Sequence, residues 1–110
     1  MPAVESRLTF EALRSLPGAG FTGSYQALGT PLANSIRLFK ITNNTASDLT
    51  VSYDGVTNHE FVPAMTFVLI DITANKVWDC QFCLAAGTQV YVKGAVALTG
   101  NVYLSTYYAR

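Results

Sequence analysis

Charged residues are scarce in this chain of 110 residues. They make up 13% of it, against about 25% in a typical soluble domain. Seven basic residues balance seven acidic ones and form no run, so nothing favours nucleic acid as a partner. With so few charges a free monomer would have a poorly protected surface. We therefore favour a single domain whose surface is covered by other subunits, although small β-proteins are also low in charge.

Long apolar runs are missing as well. The most apolar stretch, Phe61 to Ile72, is interrupted by Pro63, Thr66 and Asp71, and it falls far short of the ~20 residues that span a bilayer. The segment M-P-A-V-E-S-R-L-T-F is polar where a signal peptide has its apolar core. These absences predict a protein made in the cytoplasm, with no membrane partner.

Histidine is represented by a single residue, His59, followed directly by Glu60. Adjacent residues on a strand point to opposite faces, and a zinc platform built on two histidines is excluded. A Ser-His-Asp arrangement assembled from distant positions stays open, but no serine lies in a nucleophile-elbow motif. Asp54-Gly55, just upstream, predicts a turn with positive φ. Residues 53–63 therefore indicate a turn and a strand rather than an active site.

The two cysteines, Cys80 and Cys83, form a C-x-x-C motif whose flanks have the pattern of strands. A thioredoxin-like site would place this motif at the start of a helix, and a zinc site would need a second pair. We predict buried free thiols, with a metal site shared between subunits as the alternative. The aspartates lie on separate elements and are interpreted as turn formers. We accordingly predict no catalytic residue, no metal and no cofactor.

Alternation of apolar and polar residues indicates strands through most of the chain. The predicted inward residues are Leu49, Val51, Tyr53, Val90, Val92, Val102, Leu104, Thr106 and Tyr108. Residues 36–41 and 67–70 are apolar on both faces, so we expect those strands to be central or to face a neighbour. Turn clusters, Asn43-Asn44-Thr45 among them, separate the strands. The pattern predicts an all-β, antiparallel sandwich or jelly-roll-like domain of about eight strands over residues 20–110.

Residues 1–19 fit two patterns. Leu8, Phe10 and Ala12 alternate as in a strand, whereas Leu8, Ala12 and Leu16 have helical spacing with Thr9 as a possible N-cap. We favour an extended N-terminal arm, which could add a strand to the sheet edge of a neighbouring subunit.

An ordered series of segments spans nearly the whole chain, from Phe10 to Tyr108. The segments are F-E-A-L-R-S-L, T-G-S-Y-Q-A-L-G-T-P-L-A-N, R-L-F-K-I-T-N-N-T, V-S-Y-D-G-V-T-N-H-E-F-V-P, F-V-L-I-D-I-T-A-N-K, G-T-Q-V-Y-V-K and G-N-V-Y-L-S-T-Y-Y. The series resembles a group of small virion structural proteins of tailed bacteriophages. The segment V-W-D-C-Q-F-C-L departs from the pattern, which leaves the role of its tryptophan and cysteines open.

The resemblance implies a compact β-sandwich present in many copies, as a head decoration (cement) protein or as a ring subunit of the neck or tail. Its partners would be the major capsid protein, portal, neck or tail subunits, and copies of itself in a homo-oligomer. Its location would be the virion. The first rival is a carbohydrate-binding or receptor-binding module on the virion, and the second is a small hydrolase or metal enzyme.

Aromatic residues are the best candidates for a contact surface because they bury a large area with few rotatable bonds. The tyrosines and Trp78 suit the core, a subunit interface or a ligand platform, and the sequence leaves these three roles open. The candidate interface residues are Leu8, Phe10, Leu13, Trp78, Tyr91, Tyr103 and Tyr107.

Overall fold

Strands, turns and one short 3₁₀ helix (Gly18–Gly20) make up the described chain. The computed structural model describes residues 8–71, 84–95 and 99–109. The strands are β1 (Leu8–Phe10), β2 (Arg14–Pro17), β3 (Gln26–Ala27), β4 (Leu38–Thr45), β5 (Leu49–Ser52), β6 (Glu60–Val62), β7 (Thr66–Asp71), β8 (Tyr91–Lys93) and β9 (Gly100–Ala109). In these ranges there is no helix with both the length and the hydropathy needed to cross a bilayer.

The strands form two antiparallel sheets packed face to face. In sheet A the order is β1–β9–β4–β7, with β2 following β1 along the same side of β9. In sheet B the order is β3–β8–β5–β6. The predicted all-β antiparallel sandwich is confirmed. The described residues contain nine strands rather than about eight, because one irregular edge strand of sheet A is divided into β1 and β2.

The core lies between the sheets, on the faces that the alternation predicts. Leu49, Val51, Val92, Val102 and Leu104 are fully buried, and Tyr108 is half-buried. Ser52, which alternation assigns to the opposite face of β5 from Val51, is fully buried as well. The buried apolar side chains are Phe21, Leu28, Leu32, Ile36, Phe39, Ile41, Leu49, Val51, Val62, Val90, Val92, Val102 and Leu104. Burial of this set supplies the main driving force for folding.

Asn43 is the most heavily bonded polar side chain of the core. It is 0% exposed, and its Nδ2 donates to the carbonyl oxygens of Ser47, Val62 and Pro63 at 2.8, 3.0 and 3.1 Å. Its Oδ1 accepts from the amide and hydroxyl of Thr45. Ser47 belongs to the corner that leads from sheet A to sheet B, and Pro63 to the corner that returns. The Asn43 side chain therefore links the two connections between sheet A and sheet B.

The turn predicted at Asn43-Asn44-Thr45 is wrong in position. Strand β4 continues through Thr45, and the bend follows at residues 46 and 47. Asparagine is a turn former because its side chain usually bonds to nearby backbone. Here the Asn43 side chain bonds nearby backbone at Thr45 and Ser47 but also the distant carbonyl oxygens of Val62 and Pro63, while Asn43 itself stays in the sheet.

The edge strand of sheet A contains a β-bulge. Phe10 pairs with Tyr107, and Arg14 pairs with Leu104. Residues 11–13 therefore lie opposite only residues 105 and 106, which is one extra residue on the edge strand. The extra residue reverses the alternation, so Phe10 points outward while Arg14 and Leu16 point inward. Periodicity alone predicts the extended conformation correctly but misses this change of face.

The predicted N-terminal arm belongs to the sandwich over its described part. Strands β1 and β2 pair with β9 of the same chain. In a single chain the segment thus fills an edge of its own sheet, and the addition of this segment to a neighbouring subunit stays a prediction.

Candidate interaction surface

Sheet A has an apolar outer face, turned away from sheet B. The antiparallel register aligns its side chains in rows across β1, β9, β4 and β7. We define the outer face of sheet A as Phe10, Leu38, Lys40, Thr42, Phe67, Leu69, Asp71, Tyr103, Ser105 and Tyr107. Phe10, Phe67 and Leu69 are 67%, 61% and 50% exposed. A contiguous apolar surface of this kind is typical of an interaction site.

Ring contacts fix several side chains of this face. The ring of Phe10 meets the ring of Tyr107 edge to face, with 5.4 Å between centroids and 80° between planes. Lys40 places its Nζ 5.6 Å from the centroid of the Phe67 ring. Such contacts add about 0.5–1.5 kcal/mol for an aromatic pair and about 0.5–1 kcal/mol for an exposed cation–π pair. The face therefore presents ordered apolar area, which loses little entropy when a partner covers it.

The structure brings together four of the predicted interface residues. Phe10, Tyr103 and Tyr107 lie on the outer face of sheet A. Leu13, which is 61% exposed in the bulge, lines a small hollow of about 140 Å³ together with Phe10 and Tyr107. Leu8 lies at the start of β1, where its backbone pairs with that of Ala109 at the end of β9. The use of these residues as a subunit interface stays a prediction.

Two predicted residues do not join this surface. Tyr91 lies in sheet B, where its ring packs against the turn glycine Gly55. Trp78 lies outside the described residues, as do Cys80 and Cys83. Tyr91 therefore supports the local turn and offers no free ring face there.

Sequence reasoning did not include Leu38, Phe67 and Leu69 among the candidates. The sequence feature that could have identified them is the apolar character of both faces in residues 36–41 and 67–70. A strand with two apolar faces needs protein on both sides, either from the same chain or from a partner. Among the described strands β4 is central and β7 lies at the edge. The outward residues of β7 are thus exposed in the single chain.

Beneath the bulge lies a buried ion pair. Arg14 Nη2 is 2.8 Å from Glu11 Oε1, and the two side chains are 8% and 7% exposed. Arg14 also donates to the carbonyl oxygens of Thr30 and Pro31 and to the hydroxyl of Thr106. This network attaches the edge strand to residues 30–34 and to β9.

The Glu11 carboxylate is held in its ionised form. Burial raises its pKa, but hydrogen bonds from Asn34 and Arg14, the Arg14 charge and the Thr106 hydroxyl outweigh burial, so the pKa is lowered from its ordinary 4.5. Asn34 provides two donors to Oε2, its backbone N–H at 2.9 Å and its Nδ2 at 2.8 Å. A carboxylate with so many donors is a structural group, because its lone pairs are already used.

This arrangement predicts a pH dependence. Because the folded-state pKa is lowered, the stabilisation from Glu11 is present above pH 4.5 and is lost as pH falls through the folded-state value. In Glu11→Gln that contribution is absent. We expect the difference in free energy of unfolding between wild type and variant to be largest near about pH 6 and to shrink toward about pH 3, measured by urea denaturation. A difference that stays constant with pH would contradict this account.

A larger open cavity of about 510 Å³ lies beside the network. It is lined by Phe10, Leu13, Tyr108 and Asn34, together with the Glu11–Arg14 pair. Gly29 at its wall has φ +73°, and a Cβ there would lie 2.7 Å from the Arg14 stem. The polar groups at the base of the cavity, those of Glu11, Arg14 and Asn34, bond to one another.

Residues 53–59 form a loop held together by its own side chains. Hydrogen bonds from the backbone N–H groups of Thr57 and Val56, and from the Ser52 hydroxyl, hold the pKa of Asp54 far below its usual value. His59 Nδ1 accepts from the Tyr53 amide at 3.0 Å, and the two rings stack. Gly55 has φ +82°, so the positive φ predicted for this turn is confirmed. Asp54 and His59, the polar residues considered for a catalytic or metal site, accept hydrogen bonds from backbone amides of this loop.

Changing His59 to alanine should have a small effect. The Tyr53 amide would lose its acceptor, but His59 is exposed and water can replace it, so we expect a loss of about 1 kcal/mol or less in the free energy of unfolding. Val56→Ala in the same loop is the matched control, because Val56 is 82% exposed. Urea denaturation measures both. Any substrate turnover by the wild type that disappears in His59→Ala would instead favour the enzyme rival.

Among the described residues there is no group of three or more His, Cys, Asp or Glu side chains arranged to hold a metal ion. The architecture is that of a small all-β sandwich with one largely apolar outer sheet face. Comparisons with protein-family models, with curated proteins and with solved structures found no match to this chain.

Proposed function

We propose that this protein is a non-enzymatic structural subunit of a tailed-phage virion and that it binds neighbouring subunits through the outer face of sheet A. The observation that carries the proposal is the exposure of large apolar side chains on that face, with Phe10 at 67% and Phe67 at 61%. A solvated sheet face normally carries polar residues in alternation with the buried ones. An apolar second face is better explained by a partner that covers it.

The charge pattern supports the same function. In the described strands, the outer face of sheet A contains one ionisable cation, Lys40, and its ammonium group lies over the Phe67 ring. Burying an unpaired charge in an interface costs several kcal/mol. Asp71 lies at the end of the same face, opposite Leu38, so the face carries one cation and one carboxylate. Two charges of opposite sign on a sheet face are few, and the low charged fraction of the chain agrees with a surface that a partner covers.

The polar clusters favour adhesion over chemistry. The Glu11–Arg14 pair joins the edge strand to the loop at residues 30–34, and the Asp54 carboxylate accepts from backbone amides of its own loop. A catalytic acid or base needs a position within reach of a substrate proton. These groups are instead bonded to the protein and support a rigid scaffold for the outer face.

The subunit would serve as head decoration (cement) protein or as a ring subunit of the neck or tail. Its partners would be the major capsid protein, or the portal, neck or tail subunits, together with its own copies. Standard interfaces bury about 800 Å² per partner, and repetition around a shell or ring multiplies the stabilisation.

Quantitative mass spectrometry of purified particles tests the proposal. Hundreds of copies per particle would assign the chain to the head shell, and about a dozen to a ring. Absence from the particles would overturn the proposal. A broad glycan array probed with the purified chain provides the contrast: specific glycan binding lost in Tyr103→Ala would favour the carbohydrate-binding rival.

A further inference from the structure

We propose that two copies of this chain pair through the edge of β7 that no described strand occupies, antiparallel and around a two-fold axis, to form one continuous sheet. The inference deepens the proposed function by naming a contact between copies, and it needs no virion to be tested. It depends on the difference between β7 and the other sheet edges.

Most sheet edges in the described part of the molecule are protected. The edge formed by β1 and β2 has the bulge at residues 11–13, the inward-pointing Arg14 and Pro17. In sheet B, β3 has only two residues, and β6 has three and is followed by Pro63. Bulges, inward charges, prolines and short lengths are the means by which proteins prevent edge-to-edge pairing.

Strand β7 has none of these protections. It is six residues long, T-F-V-L-I-D, with its single charge at the last position. In the described ranges its only strand partner is β4. Its outward residues Phe67 and Leu69 are 61% and 50% exposed. A long, apolar, unpaired edge strand is a template for another strand.

A second copy is the occupant that this edge fits. In a two-fold antiparallel pair, directly opposed residues lie on the same face of the sheet, so they must be an even number of positions apart in sequence. The two-fold axis therefore lies midway between the two copies of a single residue, which is used below to name the axis. An axis at Val68 places Phe67 opposite Leu69 of the partner subunit, and Leu69 opposite Phe67 of the partner subunit. The strand is thus complementary to itself, with apolar pairs on the outer face and no charge among the opposed pairs from residue 66 to residue 70.

The neighbouring registers are less favourable. An axis at Leu69 would place Phe67 opposite Asp71 of the partner subunit, which sets a carboxylate against a ring. An axis at Phe67 would extend the pairing to Met65, whose φ of 60° takes it out of the extended conformation. The axis at Val68 keeps every opposed residue from Thr66 to Ile70 inside the strand.

The dimer would extend the outer face of sheet A across the two-fold axis. Lys40 pairs with Leu69 on β4, so it lies one strand away from the seam. No cation would be enclosed at the seam, and the two apolar faces would join into one. A shell or ring contact could then use a surface about twice as wide as that of one chain.

Analytical ultracentrifugation of the purified chain tests the inference, with Leu69→Glu and Phe61→Glu as matched variants. Leu69→Glu adds a carboxylate at the seam, where burial would raise the dimer dissociation constant by more than about tenfold, while the new residue lies beside Lys40 and should leave the fold intact. Phe61 is equally apolar and 61% exposed, but it lies on β6. We expect dimers for the wild type and Phe61→Glu and monomers for Leu69→Glu.

Cysteine cross-linking tests the register independently of affinity. In a background with Cys80→Ser and Cys83→Ser, Val68→Cys should give a disulfide-linked dimer, because directly opposed Cα atoms are about 4.5–5.5 Å apart. Leu69→Cys is the control, since the two copies of residue 69 would be diagonal neighbours about 7–8 Å apart. Cross-linking of Leu69→Cys but not Val68→Cys would overturn the register.

The outcomes separate this inference from the proposed function. A monomeric wild type, or a Leu69→Glu variant that still dimerises, would overturn the β7 contact even if the chain is abundant in particles. Dimers that Leu69→Glu disrupts, from a chain that is absent from particles, would support the contact and overturn the virion assignment.

Discussion

Asn43→Ala should lower the free energy of unfolding by about 3–5 kcal/mol. The buried carbonyl oxygen of Val62 would lose this donor, and the amide and hydroxyl of Thr45 would lose their acceptor. The partly buried carbonyl oxygens of Ser47 and Pro63 would lose the amide donor too, but they keep the hydroxyl groups of Thr45 and Thr66. Each unsatisfied buried group costs about 1–3 kcal/mol, and partial relaxation of both corners reduces the sum. Because small domains are stable by only about 5–15 kcal/mol, this one change removes a large share of the stability.

Urea denaturation measures this effect, and the neighbouring residue is a matched control. Asn44 lies next in β4 but is exposed, so Asn44→Ala should change the free energy of unfolding by no more than about 0.5 kcal/mol. Asn43→Asp should be as harmful as Asn43→Ala, since a carboxylate would face three carbonyl oxygens. Equal stability of Asn43→Ala and Asn44→Ala would show that the two corners hold without the amide.

Arg14→Ala should be similarly destabilising, by about 3–5 kcal/mol, because removal of one partner of a buried ion pair leaves the other charge uncompensated. The Glu11 carboxylate would keep its Asn34 donors but lose the guanidinium at 2.8 Å. The carbonyl oxygens of Thr30 and Pro31 would lose their donors too. Arg14→Lys should lose less stability than Arg14→Ala, since an ammonium group keeps the charge but not the planar fork of donors.

Lys93→Ala is the control for loss of a cation. The Lys93 ammonium group lies 4.7 Å from the Tyr25 ring on the solvent side of sheet B, so its removal should cost about 1 kcal/mol or less. Thermal and urea denaturation of the three variants gives the ranking. If Arg14→Ala and Lys93→Ala proved equally stable, the ion pair would not be what attaches the edge strand.

Sequence alone predicted the parts of the fold that depend on local pattern. Period-two alternation identified the inward residues of β5 and β9, since side-chain direction in a strand depends only on position along it. The turn at Asp54-Gly55 was predictable because positive φ favours glycine. The all-β sandwich follows from these local rules, which act within a few residues.

The missed features depend on contacts between distant residues. Asn43 looked like a turn residue because its partners at Val62 and Pro63 cannot be inferred from its neighbours. Glu11 and Arg14 gave no signal of burial, since Glu11 is held by Asn34, 23 positions away, and by Thr106, 95 positions away. One extra residue in the bulge was enough to reverse the faces beyond it.

The candidate surface was predicted in part. Phe10, Tyr103 and Tyr107 were chosen as aromatic residues, and the register places them on one face. Phe67 and Leu69 were noticed only as members of a strand that is apolar on both faces. Whether such a strand is central or at an edge depends on strand order, and strand order depends on which distant segments pair.

The position of β9 in sheet A has a consequence for synthesis on the ribosome. Strand β9 separates the edge strand from β4, yet it is translated after every other described strand. Until residues 100–109 emerge, the one described strand that pairs with β1 and β2 is absent, and one side of the nascent β4–β7 strand pair stays open. Sheet A is therefore expected to form late in folding. A stalled chain would expose the apolar residues of the β4–β7 strand pair to chaperones and to other nascent copies.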